Sequence, residues 1–263
     1  MEQLKEFIQK HRPAAIVLGT PGLDAVHLER DVRSIVDGIH EFRPSVIFLD
    51  DEVAVLYSKS ERAKKEFPDF PPLLHYCVSL GRRLLDPLIE FSGLASYTSN
   101  ELVYLRLHPL QSNVPSDILT AYLERSLVNI TAAVGIDFNR VLSHPHMHSI
   151  LAFVPGLGYR RSYEMVQHLG ELRVPFVRSR VQLSKLLSMH RSVYENCAGF
   201  IKIDTTGIPV TGKNRGGQLE DYPIDVLDRT RIHPENYEYA RRMAADAIER
   251  VFFYCGCYVL TVA

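Results

Sequence analysis

The residues best suited to chemistry lie at 153–162, where the sequence reads FVPGLGYRRS. Because glycine has no Cβ, Gly156 and Gly158 let this segment turn through backbone angles that other residues avoid, while Leu157 between them can fill a core. The segment after the turn opens a helix, and the N–H groups of a first helical turn can hold a phosphate without reading bases. The residues that we predict to contact nucleic acid here are Gly156, Gly158, Arg160, Arg161 and Ser162.

This order of Pro, Gly, an apolar residue, Gly and basic residues is typical of a helix-hairpin-helix motif. The alternative interpretation is a hairpin that serves only packing or contact with another protein. The segments RSRVQLSKLL at 178–187 and SVYENCAGF at 192–200 predict a second helix pair of similar size. Between them Arg191 is the further residue that we predict to bind nucleic acid.

The charge of the chain is balanced as a whole but not locally. Thirty Lys and Arg against 31 Asp and Glu give a formal net charge of -1, which excludes a polycation that binds nucleic acid over its whole surface. Between Asp137 and Phe200, however, eight Lys and Arg stand against four Asp and Glu. This local excess favours phosphate contact, although a solvated helix face has the same composition.

Three consecutive acids, Asp50, Asp51 and Glu52, follow an apolar run and could form a carboxylate cluster for metal-assisted phosphodiester cleavage. They support the alternative function, a divalent-metal nuclease of the RNase H type. Because consecutive strand residues alternate faces, at most two of the three would point together. A charged strand end is the simpler interpretation.

Two other patterns lack part of the site that they suggest. GIPVTGK at 207–213 fits the start of a phosphate-binding loop, but Asn214 stands where the magnesium-binding Ser or Thr belongs. HPHMH at 144–148 offers three imidazoles without a distant partner at metal-ligand spacing. We therefore interpret both as surface loops and predict no metal and no cofactor.

The elements that position these residues predict a multidomain chain, α/β followed by all-α. Helices alternate with two β-rich runs, at 14–20 and 45–57, which indicates parallel strands, although two strands are few for a stable sheet. A helical stripe covers 73–91, and from Ser116 onward helices predominate, ending with one over about 234–253. Four unevenly spaced cysteines, and no apolar run of membrane-spanning length, predict an intracellular protein without membrane contact.

Several short segments, taken in order, resemble the core of the suppressor-of-Ty-six family of eukaryotic transcription elongation factors and histone chaperones. They resemble more distantly the bacterial transcription accessory protein Tex. The segments that carry the resemblance are FPDFPP at 67–72, VSLGRR at 78–83, DPLIEF at 86–91, LHPLQ at 107–111, VGIDFN at 134–139, PGLG at 155–158, NCAGFIKID at 196–204, VLD at 226–228 and RIHPE at 231–235.

The resemblance implies a partial RNase-H-like (YqgF) α/β domain over 1–96, a tandem helix-hairpin-helix domain over 97–205 and a small helical death-like domain over 206–255. It implies a fragment, with further family domains on both sides. It also implies a nuclear, non-enzymatic elongation factor and histone chaperone core. The partners implied are the RNA polymerase II elongation complex, histones and, weakly and without sequence preference, nucleic acid.

Two positions depart from the pattern of the family. Ser79 stands where the last helix of nuclease relatives supplies an acid, which argues for a scaffold rather than a nuclease. In the second hairpin His190 stands at the position of the turn glycine, which weakens the case for phosphate binding there, although Arg191 remains basic.

Overall fold

The computed structural model describes residues 2–19, 23–39, 42–95, 100–172, 176–187, 189–206 and 224–259. The chain divides into two compact units, Met1–Arg125 and Ser126–Ala263. The first unit holds α1 (Glu2–His11), β1 (Ala15–Gly19), α2 (Leu23–Asp37), β2 (Ser45–Leu49), α3 (Glu52–Lys59), α4 (Glu61–Glu66), α5 (Pro72–Leu85), α6 (Pro87–Leu94) and the start of α7 (Ser116–Val134). The second holds the end of α7, then β3 (Ile136–Asp137), α8 (Phe138–Ser143), α9 (Gly158–Leu172), α10 (Arg180–Leu186), α11 (Arg191–Cys197), β4 (Ile201–Lys202) and α12 (Tyr237–Val259).

In the first unit, β1 and β2 form a parallel pair in which Ala15 is opposite Ser45 and Gly19 is opposite Leu49. The helix α2 connects the two strands, as the alternating pattern predicted. Its buried face carries Val32, with Val36 further along the helix. Within the described residues of this unit, the sheet consists of β1 and β2. It is therefore as narrow as the sequence indicated.

The β-rich run predicted over 45–57 is wrong in its second half, because the strand ends at Leu49 and α3 begins at Glu52. The side chain of Asp50 accepts a hydrogen bond from the Glu52 backbone N–H at 3.2 Å, which turns the chain. In α3 the buried side chains of Val53 and Tyr57 lie four residues apart, on one helical face.

The single helix predicted over 73–91 is two helices, α5 and α6. Pro87 follows Asp86 and cannot donate the hydrogen bond that would continue α5, so α5 ends at Leu85 and Pro87 opens α6. The charged segment between α3 and α5 contains α4, whose start is capped by the Ser60 hydroxyl at 3.2 Å from the Ala63 backbone N.

In the second unit, α7 ends at Val134, and the next residue, Gly135, has a φ of 74°, in the left-handed region that favours glycine. The guanidinium of Arg231 donates hydrogen bonds to the carbonyl oxygens of Ala132 and Ala133, the last turn of α7. Because these carbonyls have no partner within the helix, Arg231 closes α7 where the chain turns into β3.

The side chain of Asn139 connects three segments of the second unit. Its Nδ2 donates to the carbonyl oxygens of Val177 and Asp204, each at 2.9 Å, and its Oδ1 accepts from the Val177 backbone N–H at 2.7 Å. Nearby β3 pairs with β4 in parallel, with Ile136 opposite Ile201. These bonds hold the two helical hairpins of the unit on a common base.

Candidate nucleic-acid interface

The first hairpin joins a 3-10 helix over Pro145–Phe153 to α9 through the turn that the sequence singled out. Gly156 has a φ of 91° and Gly158 a φ of 71°, both in the left-handed region. The backbone N–H of Leu157 donates to the carbonyl of Val154 at 3.1 Å, which closes the turn. Leu157 itself is buried. The turn thus reverses the chain so that the first N–H groups of α9 follow it directly.

The two glycines are required for different reasons. A Cβ on Gly156 would lie 2.8 Å from the Cβ of Asn196 in α11, so this backbone could not approach the second hairpin with any larger residue. A Cβ on Gly158 would have no atom within 4 Å. Only the backbone angle demands glycine at 158, and the space in front of it is open.

The side chains that follow the turn have three different environments. Arg160 forms an ion pair with Glu164 at 2.9 Å on the exposed face of α9. Arg161 is exposed and donates to the carbonyl of Gly156 at 3.0 Å, so its guanidinium lies beside the turn. Ser162 is buried, and its hydroxyl donates to the Tyr159 carbonyl at 2.8 Å. Of these predicted residues Arg161 is the side chain that the structure holds at the turn.

The second hairpin joins α10 to α11, and His190 caps the start of α11. His190 has a φ of -61°, an ordinary angle, so this turn does not need the glycine of the family pattern. Its Nδ1 lies 2.8 Å from the Ser192 hydroxyl and accepts from the Ser192 backbone N–H at 3.4 Å. Arg191 is exposed and pairs with Glu195 at 2.6 Å. A side-chain cap therefore occupies the start of α11.

The local excess of basic residues is smaller at the surface than the sequence indicated. Arg178 and Arg180 are buried, at 8% and 1% exposure. The guanidinium of Arg180 donates hydrogen bonds to protein groups, among them the Ile201 and Ile232 carbonyls and the Tyr237 hydroxyl. The composition of the sequence includes both arginines among the candidates for phosphate contact, but their burial makes them part of the protein interior.

The three acids of the alternative nuclease site each have a different partner. A carboxylate oxygen of Asp50 lies 3.3 Å from the Arg83 guanidinium, and one of Asp51 accepts from the Tyr76 hydroxyl at 3.2 Å. Glu52 accepts from the Arg106 backbone N–H at 3.1 Å. In the portion of the chain that the structure describes, no three His, Cys, Asp or Glu side chains are grouped to hold a metal ion.

Family models match the chain in three successive regions. A model described as Holliday-junction resolvase-like of SPT6 matches residues 1–95, a helix-hairpin-helix motif model matches 100–204, and an HHH domain model matches 225–251. The chain is 34% identical over 253 residues to the transcription elongation factor SPT6 of Drosophila melanogaster. It is 36% identical over 255 residues to the suppressor of Ty 6 homolog of Caenorhabditis briggsae, and 34% identical over 254 residues to SPT6 of Saccharomyces cerevisiae.

The chain belongs, over the region that it spans, to the SPT6 family. The three alignments cover 94–95% of this chain but only 13–17% of the relatives, so the chain spans about a seventh of their length. The resemblance inferred from the short segments is confirmed, as are the YqgF-like and helix-hairpin-helix regions. The relatives from Drosophila melanogaster and Saccharomyces cerevisiae are named transcription elongation factors.

Ser79, which departs from nuclease relatives of the YqgF fold, is fully buried and donates to Oε2 of Glu90 at 2.7 Å. Glu90 is itself 1% exposed, and burial raises the pKa of its carboxyl above the ordinary 4.5. This pair lies in the packing between α5 and α6 rather than at the ends of β1 and β2. Ser79 therefore has a buried hydrogen-bond partner in Glu90.

The histidine segment is not the loop that the sequence predicted. It lies in the 3-10 helix over Pro145–Phe153, because Met147 and Ile150 turn inward and are buried. His144 precedes this helix and is exposed, whereas His148 is half-buried and burial lowers its pKa below 6.5. The phosphate-loop-like segment at 207–213 lies outside the described residues. Among helices of the described part of the chain, none is long and apolar enough to cross a membrane.

Proposed function

We propose that this chain is a non-enzymatic scaffold of transcription elongation that holds nucleic-acid phosphates at the first hairpin. The observation that carries the proposal is the turn from Gly156 to Gly158, which leaves open space in front of Gly158, the first residue of α9. The first N–H groups of a helix and its positive dipole end attract a phosphate without base readout. Arg161, fixed beside the turn by its bond to Gly156, adds a full positive charge.

The finer assignments are proposals that follow from the family. As a member of the SPT6 family the chain would act in the nucleus as part of a histone chaperone, contacting the RNA polymerase II elongation complex and histones. The division into domains at 96 and 205 and the death-like fold of 206–255 also stay predictions. Because nucleic-acid contact is made to phosphates, we expect it to be weak, salt-sensitive and tolerant of sequence.

The proposal is tested with the variant Gly158→Val and labelled DNA and RNA in low salt. A β-branched side chain is strained at a φ of 71°, so the turn and the helix start would shift and binding should be lost. The matched control is Gly170→Val in the same helix, where a Cβ also meets nothing within 4 Å and the backbone angle is ordinary. Equal binding by both variants would show that the hairpin serves packing only.

The alternative nuclease function is tested with the same substrates in the presence of Mg²⁺ or Mn²⁺. The diverging partners of the acids at 50–52 favour no cleavage. Cleavage that disappears in an Asp51→Asn variant would replace the scaffold proposal with the enzymatic one.

A further inference from the structure

We propose that the groove between the two hairpins receives one unstacked base of a single-stranded nucleic acid whose phosphate lies at the start of α9. The inference rests on the proposed function and names its substrate class, a single strand rather than a duplex. A paired and stacked base cannot enter such a groove without first leaving its helix.

The groove has a volume of about 460 Å³, within the range of small-molecule sites. One wall is a single face of α9, because its lining residues recur at helical spacing after the turn. The other wall is the turn of the second hairpin and the first residues of α11. The lining includes Leu157, Met165 and His168 on the first wall, and Met189, His190 and Val193 on the second.

The two walls are tied together at both ends of the groove. At one end the backbone of Gly156 approaches Asn196 so closely that a Cβ would lie 2.8 Å from the Asn196 Cβ. At the other end Nε2 of His168 lies 3.1 Å from the carbonyl oxygen of Leu186. The groove is therefore formed before a ligand arrives, which reduces the ordering cost of binding.

The lining suits a flat, apolar ring. Leu157 and Met165 are buried and form the floor, while Met189 and Val193 are half-buried on the opposite side. Thioether sulfur makes favourable contacts with aromatic rings, and imidazoles offer a flat face. The ring of His190 is held in place by Ser192, so it presents that face without further ordering. Stacking of this kind tolerates every base, because each base has a π face.

The charge at one end of the groove decides in favour of a nucleotide over an apolar peptide side chain. Leu157 and Arg161 line the groove and belong to the first hairpin as well, so the groove is continuous with the proposed phosphate site. The carboxylate of Glu164 also lines the groove, but it is paired with Arg160 at 2.9 Å. The guanidinium of Arg161 therefore supplies the charge at this end of the groove, beside the apolar floor. A nucleotide carries an anionic phosphate beside an apolar base and fits both, whereas a Leu or Phe side chain leaves the charged end without a partner.

The test compares a fluorescent oligothymidine strand with a strand of equal length and backbone charge in which the bases are replaced by abasic sites. We expect the abasic strand to bind the full chain roughly 5- to 150-fold more weakly, as for the loss of one stacked base. Met189→Ala should weaken binding of the base-bearing strand several-fold and leave the abasic strand unchanged. The matched control is Met243→Ala, because Met243 is 72% exposed on α12 and does not line the groove.

The outcomes separate this inference from the proposed function. If both strands bind equally and Gly158→Val abolishes both, the hairpin holds phosphates but no base enters the groove, and the inference is overturned alone. If neither strand binds, both are overturned. Tighter binding of a duplex of the same sequence would also overturn the inference, since it would show that paired bases are preferred.

Discussion

The guanidinium of Arg180 donates a 2.6 Å hydrogen bond to the hydroxyl of Tyr237, although the two residues lie 57 positions apart. The same guanidinium donates to the carbonyl oxygens of Ile201 at 2.8 Å and Ile232 at 2.6 Å, and also to that of Thr230. One arginine thus joins the second hairpin, β4 and the segment that leads into α12.

Replacing Arg180 with Met should therefore destabilise the second unit strongly. The side chain is 1% exposed, and its loss would leave several buried carbonyls without a donor. Breaking such a buried charged arrangement costs about 3–5 kcal/mol of unfolding free energy. The measurement is urea unfolding together with hydrogen exchange at the Ile203 amide, which donates to the Asp228 carbonyl at 2.9 Å.

The control for this prediction is Arg229→Met. The Arg229 side chain is 49% exposed and pairs with Asp204 at 3.2 Å, so its loss should cost less than about 1 kcal/mol. Equal urea midpoints for the two variants would mean that Arg180 does not join these segments.

Alanine substitutions at the two turn glycines should differ in their effect on stability. At Gly158 only the positive φ opposes alanine, which costs roughly 1–2 kcal/mol. At Gly156 the same strain is increased by the 2.8 Å approach to Asn196, so Gly156→Ala should lower the urea midpoint further and loosen the contact between the hairpins. The idea fails if Gly158→Ala proves the more destabilising of the two.

The turn could be predicted from the sequence because its causes are local. Gly156 and Gly158 lie within three positions of each other, and only glycine favours the left-handed angles that a hairpin of this type needs. Their φ values of 91° and 71° agree with that expectation. Whether Gly158 would face open space and Gly156 a neighbouring helix depends on α11, some 40 residues later, and no local pattern carries that information.

The structural role of Arg180 could not be predicted from the sequence for the same reason. Its partners lie 21 to 57 positions away, so composition could count it only as one more surface base. The helix break at Pro87 was different, because an Asp-Pro pair inside an apolar stripe is a local signal that a helix ends. The apolar periodicity of 73–91 continues across Pro87, so the pattern predicted one helix where the structure has two.

Glu90 should make the first unit less stable as the pH rises. Burial raises the folded-state pKa of Glu90 above 4.5, so above that pH the unfolded chain releases a proton that the folded chain retains. The contribution of Glu90 to the unfolding free energy is therefore most favourable below pH 4.5, and it falls as the pH rises through the folded-state pKa. In Glu90→Gln this loss is absent, and the difference in unfolding free energy between variant and parent should grow in favour of the variant with pH.

The control for Glu90 is Glu61→Gln. Glu61 is exposed, and a hydrogen bond from Lys64 lowers its pKa, so its contribution has the opposite sign and is screened by solvent. A Glu90→Gln variant whose stability follows the same pH curve as the parent would contradict the assignment of Glu90 as a buried, reluctantly ionised group.

The contribution of His148 to the stability of the second unit should change over a higher pH range than that of Glu90, and with the opposite sign. Its folded-state pKa lies below 6.5 because burial disfavours the imidazolium, so as the pH falls below 6.5 the unfolded chain takes up a proton that the folded chain does not. The contribution of His148 to the unfolding free energy is then fully present above pH 6.5. It is lost as the pH falls through the folded-state pKa, with a slope of at most about 1.4 kcal/mol per pH unit for one proton.

His148→Gln should remove this slope between pH 7 and 5, whereas His144→Gln, which changes an exposed ring, should keep it. The measurement is the urea midpoint of the second unit at several pH values, and a parent-like slope in His148→Gln would show that the half-buried ring is protonated as readily in the folded chain as in the unfolded one.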